Sequence, residues 1–442
     1  MRLHSLRAIQ TSQRPITPAR RANATRCVAV ALALLSAAAC SDSDSPSTGE
    51  GANAAGTPGA PGTPGETPGG DGTSSASNGG SAAAAGATAA AVGGMGVNEG
   101  GSSGGAGSGE SPGEGEPGVR FVGRVDTSDP TGARFAWSGT GVVARFTGTE
   151  VAVRMNGAQQ YTVVLDGVVQ PKLTTTGGAD LLASGLADAE HLIEIYRRTE
   201  ANQGESQFLG FELGGGELLA PPPAAERRIE IIGDSISCGY GNEGANMSCP
   251  FTPDTENHYL TYGAIAARNV GADLVTVAWS GKGVVCNYGD EPTSCTEPMP
   301  LYYDRTLPNR ADSAWDFARY QPQAVVINLG TNDMSTDVDP SEQDFVTAYA
   351  DLLTRVRSAY PDALILCTVG PLLNGTDLTT ARDYIVAAVE QRTGAGDSNV
   401  QTFELAPTNP IDGYGCDYHP SLRTHELMAE VLTSTLEAEL GW

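Results

Sequence analysis

Between residues 119 and 220, apolar and polar side chains alternate in short runs broken by glycine, asparagine or aspartate: "VRFVGRV", "RFAWSGTGVVARFTG", "EVAVRMNG", "YTVVLDGVV", "HLIEIYRRT" and "SQFLGFEL". A period of two sends one set of side chains to a core and the other to water, the pattern of half-buried antiparallel strands. A succession of such runs predicts a β-sandwich of the jelly-roll type over 119–220. "PPPAAE" at 221–226 follows as a stiff hinge, because consecutive prolines hold an extended backbone and donate nothing to a sheet.

Beyond the prolines the pattern changes. "RIEII", "DLVTVAW", "AVVINLG", "ALILCTVG" and "VQTFEL" are compact apolar runs, and stretches with helical spacing separate them, from "HYLTYGAIAARNVG" to the final "SLRTHELMAEVLTSTLEAELGW". Strands alternating with helices predict an α/β domain over 227–442, with a mainly parallel sheet covered on both faces. In such sheets ligands meet the loops beyond the carboxyl ends of the strands.

The first 118 of the 442 residues have neither pattern. Residues 1–40 carry six arginines and no acid, then an apolar run over 28–35 and the ending "LLSAAAC". This reads as an export signal, too short in its apolar part to remain as a membrane span. Cys40 stands where a bacterial lipoprotein signal is cut and its new terminal cysteine lipidated; plain cleavage after an Ala-x-Ala site is the alternative. Ser41 is not the aspartate that retains lipoproteins at the inner membrane, so an outer-membrane or cell-surface address is expected. Residues 41–118 are mostly Gly, Ala, Ser, Thr and Pro, and too poor in large apolar groups to offset the entropy of ordering them, so they are expected to be a disordered tether.

The formal charge is −26, and without the six arginines of the signal it is near −32. So negative a surface repels phosphate backbones and anionic lipid, which argues against nucleic acid as a partner and leaves the lipid anchor as the one expected membrane contact. Neutral polymers remain allowed. Setting aside Cys27 and Cys40, six cysteines remain at 238, 249, 286, 295, 367 and 416. An even number in an exported chain predicts disulfides, and proximity along the chain suggests Cys238 with Cys249, Cys286 with Cys295 and Cys367 with Cys416. The absence of any CxxC spacing argues against zinc.

Each candidate for chemistry follows a predicted strand. Ser235 lies in "GDSIS", Gly281 in "AWSGKG" and Asn332 in "LGTND", and His419 lies in "GCDYHPS" before the last helix. A serine attacks a carbonyl only if a base takes its proton, and His419 is the candidate base. The backbone N–H groups of Ser235 and Gly281 and the Asn332 amide can receive the oxyanion that develops. His425 is expected on the solvated face of the last helix, His191 in the sandwich, and His258 at a helix start.

These motifs together resemble the SGNH (GDSL) hydrolase superfamily over residues 227–442. The preceding sandwich, with "YRRTEANQGESQFLGFEL", "GDSISCGYGNEG" and "GCDYHPS", looks more narrowly like carbohydrate esterase family two. The resemblance implies a metal-free serine esterase without an organic cofactor, removing O-acetyl groups from xylan or glucomannan, with Ser235 as nucleophile and His419 as base. Gly281 and Asn332 correspond to the oxyanion residues. The superfamily carries aspartate three residues before the histidine; here that position is Cys416, and Asp417 is two before. Two arrangements stay open: Asp417 orients His419 from a shifted loop, or a backbone carbonyl does so and a Ser-His dyad operates. Trp279 and Tyr418 are candidates to stack on a sugar ring, with core packing the favoured role for Trp279. Two other functions are weighed. A general acyl-ester hydrolase or thioesterase for lipid needs a long apolar groove, which the polar loops after Ser235 and Gly281 do not suggest. A non-catalytic carbohydrate-binding protein would not need this full set of residues.

Overall fold

A computed structural model describes residues 117–442 apart from 158, 292–293, 336–338 and 406–407. The expectations for the export signal, Cys40 and the tether up to residue 116 lie outside the described residues.

Eight antiparallel strands form the first sheet: β1 (Val119–Val122), β2 (Ala133–Phe135), β3 (Gly141–Asn156), β4 (Gln160–Leu165), β5 (Val168–Val169), β6 (Leu173–Thr174), β7 (Ala179–Arg197) and β8 (Ser206–Glu212). The order is β2-β8-β3-β7-β4-β5, with β1 added to β3 and β6 to β4. Two of the sequence runs are one strand, because β3 continues through Gly148, where its register against β7 shifts. Such bulges increase twist and let a long strand bend around a core. That core contains Phe135, Phe146, Met155, Tyr161, Ile193 and Ile195, all essentially inaccessible to solvent.

The second sheet is parallel throughout. Its strands β9 (Arg227–Gly233), β10 (Ala272–Ala278), β11 (Ala324–Asn328), β12 (Leu364–Thr368) and β13 (Val400–Thr402) lie in the order β10-β9-β11-β12-β13. Helices α1 (Ser235–Cys238), α2 (Tyr262–Val270), α3 (Glu342–Ala359), α4 (Gly375–Gly394) and α5 (Leu422–Leu440) complete the α/β domain. Side chains of α2 and α5 pack on Ile229, Ile231, Val326 and Leu366, and those of α3 and α4 on Ile232, Val325, Ile327 and Ile365. The central strands therefore need apolar residues on both faces, which is why they read as unbroken apolar runs.

The helix ends are written locally. Thr261, Ser341 and Ser421 accept the N–H of the residue three positions on at the starts of α2, α3 and α5. Gly271 and Gly441 close α2 and α5 in the left-handed conformation. His425 is wholly buried, contrary to the expectation of a solvated position. It begins the inward stripe of α5 that continues through Met428, Ala429, Leu432 and Leu436, and its Nδ1 accepts the Tyr262 N–H at 3.2 Å.

The strand order places the reversal of chain direction across the sheet between β9 and β11. The chain winds outward from β9 to β10 on one side and from β11 to β13 on the other, and the crevice at such a switch point is where α/β sheets bind ligands. Ser235 follows β9 and Asn332 follows β11, so both stand at that crevice.

Candidate active site

The turn after β9 is built so that Ser235 opens a helix. Asp234, with extended backbone, caps α1, its Oδ1 accepting the Ile236 N–H at 3.0 Å. A side chain at Gly233 would overlap Ser237, its Cβ standing 2.2 Å from Oγ, so only glycine fits there. Ser235 is thereby the first residue of α1, where a backbone N–H has no acceptor within the helix.

His419 reaches this serine from the loop before α5. Its Nε2 lies 2.9 Å from Ser235 Oγ, and its Nδ1 lies 3.1 Å from the backbone carbonyl of Asp417. An Nδ1–H donated to that carbonyl leaves the Nε2 lone pair for the serine proton, which is the tautomer a general base requires. The Asp417 carboxylate is directed elsewhere: its Oδ2 accepts the Tyr240 hydroxyl at 3.0 Å and the Phe251 N–H at 3.2 Å. Of the two arrangements the sequence leaves open, the geometry matches the carbonyl, and an orienting Asp417 side chain is corrected. The reason lies in the backbone. Asp417 and Tyr418 both have φ in the left-handed region, +49° and +63°, a strained turn for two non-glycine residues that aims the carbonyl at the imidazole and the carboxylate away.

That turn is held from several sides. Cys416 is bonded to Cys249, its N–H donates to the Gly241 carbonyl at 2.9 Å, and Gly415 N–H donates to the His419 carbonyl at 2.8 Å. The disulfides differ from the expected set. Cys286 pairs with Cys295, whereas Cys249 pairs with Cys416, and Cys238 and Cys367 are free and buried. Proximity along the chain misleads because Cys238 points inward from α1 toward Glu200, and Cys367 lies on the core side of β12. The Cys249–Cys416 bridge closes a loop of 167 residues and ties the chain after the nucleophile to the loop carrying His419. Replacing both cysteines by alanine is expected to cost about 4 kcal/mol in urea unfolding and to lower esterase activity at temperatures where the fold persists; unchanged stability and activity would contradict this.

Tyr240 stacks between Phe251 and His419, with ring centroids 4.0 and 4.3 Å apart. Burial beneath this stack lowers the imidazole pKa to about 4, although the Asp417 carbonyl and charge pull the other way. Burial pushes the capping Asp234 up to about 7.

Gly281 follows β10 in a turn with φ +78°, and a Cβ there would meet no other atom within 4 Å, so this backbone faces open space. Neither its N–H nor that of Ser235 has a backbone acceptor among the described residues. The loop is clamped by Asp333, whose carboxylate accepts the N–H groups of Val284, Val285 and Cys286 at 2.7 to 3.1 Å. The aspartate of "GTND" thus positions the glycine loop, while Asn332 before it enters the crevice. Asn332 Nδ2 donates to the Lys282 carbonyl at 2.9 Å and makes a long contact of 3.4 Å to Asp234 Oδ2, so its second N–H is the weakly held one. Trp279 packs on Tyr302 at the core, and Tyr418 is 61% exposed at the rim.

Residues 121–223 match the family described as carbohydrate esterase 2 N-terminal, and residues 231–427 match the GDSL-like lipase/acylhydrolase family. Among solved structures, a family two carbohydrate esterase from Clostridium thermocellum, in complex with cellohexaose, is 45% identical and superposes with a TM-score of 0.70, over 74% of this chain and all of that one. This chain belongs to carbohydrate esterase family two. The family two chain is also 46% identical over 340 residues to the cellulase/esterase CelE of Acetivibrio thermocellus, covering 75% of its own length and 41% of CelE. It is 26% identical to an acetylxylan esterase/glucomannan deacetylase of Cellvibrio japonicus, over 73% of this chain and 91% of that protein. The family is one of carboxylic ester hydrolases.

Sequence reasoning missed Tyr240, Asp333 and a buried acid, Glu200, which reaches this site from the sandwich. Tyr240 carried a signal, being the one aromatic inside "GDSISCGYGNEG". Glu200 carried a misleading one, since "YRRTE" reads as a charged strand end in water.

Proposed function

We propose that this family two esterase removes O-acetyl groups from plant cell-wall polysaccharides through an acetyl-serine intermediate. The observation that carries the reading is the 2.9 Å approach of His419 Nε2 to Ser235 Oγ at the switch point of the sheet. His419 takes the Ser235 proton as Oγ bonds to the acetyl carbonyl carbon, and the carbonyl electron pair moves onto oxygen. The N–H groups of Ser235 and Gly281 and the weakly held N–H of Asn332 hold that oxyanion. Collapse of the tetrahedral centre breaks the bond to the sugar oxygen, which leaves with the proton from His419. Water, deprotonated in turn by His419, then releases acetate. The Asp417 carbonyl fixes the imidazole throughout.

The substrate class rests on the relatives named acetylxylan esterase/glucomannan deacetylase and on the neighbour that binds cellohexaose. Exposed Tyr418 beside His419 offers a ring for a sugar face. Export with a lipid anchor at Cys40 belongs to the same reading, and two disulfides in the folded part suit an oxidising compartment. Acetate release from acetylated xylan and acetylated glucomannan, measured beside cleavage of a long-chain acyl ester, tests the substrate. Fast release from the polysaccharides with little action on the long ester is expected; the reverse would assign the chain to general acyl hydrolysis.

The rate should also report the imidazole. Because the base works only when neutral and burial holds its pKa at about 4, kcat/KM should stay high as pH falls and drop only through about 4. An exposed histidine would place that limb near about 6.5. Asp234→Asn, which removes the group titrating at about 7, should leave the limb at about 4 in place.

A further inference from the structure

Beside Asp333, a second side chain holds the oxyanion loop, and it belongs to the sandwich. Glu200 is wholly inaccessible to solvent, and its Oε2 accepts the Ser280 N–H at 2.7 Å, one peptide before the Gly281 N–H. Its own backbone is held by Arg197, also wholly buried, which ends β7. The Arg197 guanidinium donates to the carbonyls of Thr199, Glu200 and Gly204 at 2.7 to 2.8 Å and to Ser206 Oγ at 2.9 Å. It spends its donors on neutral oxygens, and so locks the 199–204 turn in place. Glu256, from the loop after the nucleophile, completes the arrangement, its Oε2 accepting the Glu200 N–H at 3.2 Å. Cys238 Sγ donates to Glu200 Oε2 at 3.8 Å, and Glu200, Cys238 and Glu256 each place a polar atom within 4.8 Å of the others.

An acid carried this deep is expensive unless its bonds repay the loss of water. Glu200 Oε1 and Glu256 Oε1 are both buried without a hydrogen-bond partner. Two carboxyl groups this close do not both ionise cheaply. Burial pushes both pKa values up, and the charge of Glu200 adds to the shift of Glu256. Held by the turn and by Glu256, Glu200 stands as a rigid strut whose Oε2 accepts the Ser280 N–H.

We propose that Glu200 is a positioning residue for the esterase reaction: through Ser280 it sets the Gly281 N–H where the oxyanion develops, so that the sandwich domain supplies part of the catalytic geometry. This rests on the reading of Ser235 and Gly281 given above. The alternative for the sandwich, a wall of the cleft or a glycan-binding module, predicts no such effect on turnover.

The test uses the full chain, with kcat and KM for acetyl-ester hydrolysis and the melting temperature measured for Glu200→Gln, Glu200→Asp and Glu200→Ala. Glutamine keeps the reach and a side-chain oxygen that can accept the Ser280 N–H. Aspartate keeps the carboxyl group but falls one methylene short of Ser280. Glu200→Asp and Glu200→Ala should each lose kcat roughly 100-fold, as expected for a misplaced catalytic group, with KM within about threefold of wild type because ground-state binding is untouched. Glu200→Gln should remain within about fivefold in kcat. Aspartate and alanine leave different volumes, so either one that folds decides. A folded Glu200→Asp or Glu200→Ala with wild-type kcat, or a Glu200→Gln as impaired as those two, would overturn the proposal. Failure of the underlying reading looks different: there Ser235→Ala would turn over substrate as fast as the wild-type chain.

Discussion

Replacing His419 by alanine is expected to lower kcat for acetyl-ester hydrolysis roughly 10⁵-fold, as loss of the base does in other serine hydrolases, whereas Asp417→Asn should lower it less than about tenfold. The contrast follows from which atom holds the imidazole. Nδ1 faces the Asp417 carbonyl at 3.1 Å, and the carboxylate is engaged by Tyr240 and Phe251. Asparagine tolerates the left-handed conformation of this position and can still accept from Tyr240, so the carbonyl stays aimed. Were the side chain the orienting group, the same substitution would cost about 10⁴-fold. Steady-state kinetics with melting temperatures as a folding control check both halves. An Asp417→Asn enzyme as inactive as that figure would restore a three-residue relay.

Arg124→Met is expected to destabilise the protein by about 3 to 5 kcal/mol. Arg124, from the sandwich, donates to Glu230 on β9 at 3.1 Å, and both side chains are wholly inaccessible to solvent. The guanidinium also lies 5.2 to 5.4 Å from the rings of Tyr303, Trp315 and Phe317, and the Tyr360 hydroxyl donates to Glu230 at 2.9 Å. Methionine keeps the stem but leaves a carboxylate buried and uncompensated. Adding Glu230→Gln should recover most of the loss, because the penalty belongs to the orphaned charge. Urea unfolding of the single and double variants measures this. The two sheets should lose structure together, since the pair joins them. A single variant as stable as wild type would mean that the charges do not depend on one another.

The alternation of the sandwich strands and the apolar runs of the parallel sheet were legible because burial on one face or on both writes directly into composition. The amino-terminal half of β7 was not: Ala179 to Glu190 has no alternation and becomes a strand by pairing with the far half of β3. Ser235, Gly281 and Asn332 stood out because each follows a strand in a short motif, and His419 because it stands in a short motif before the last helix; the topology brings them together. The direction of the Asp417 side chain could not be read, since a pair of positive φ angles decides it. Cys286 with Cys295, close along the chain, was legible, but Cys249 with Cys416 was not, because it depends on the three-dimensional approach of loops 167 residues apart. Glu200 and Arg124 were hidden for a common reason. A charged residue at a strand end reads as solvated until a second domain covers it, and here the second domain is what each of them serves.

The rate of acetate release from acetylated xylan by the full wild-type chain and by Ser235→Ala is the most direct test of the central claim. The account predicts release by the wild type and a rate roughly 10⁵-fold lower or less in the variant. Release by Ser235→Ala within about tenfold of wild type, or none by the wild-type chain, would contradict it.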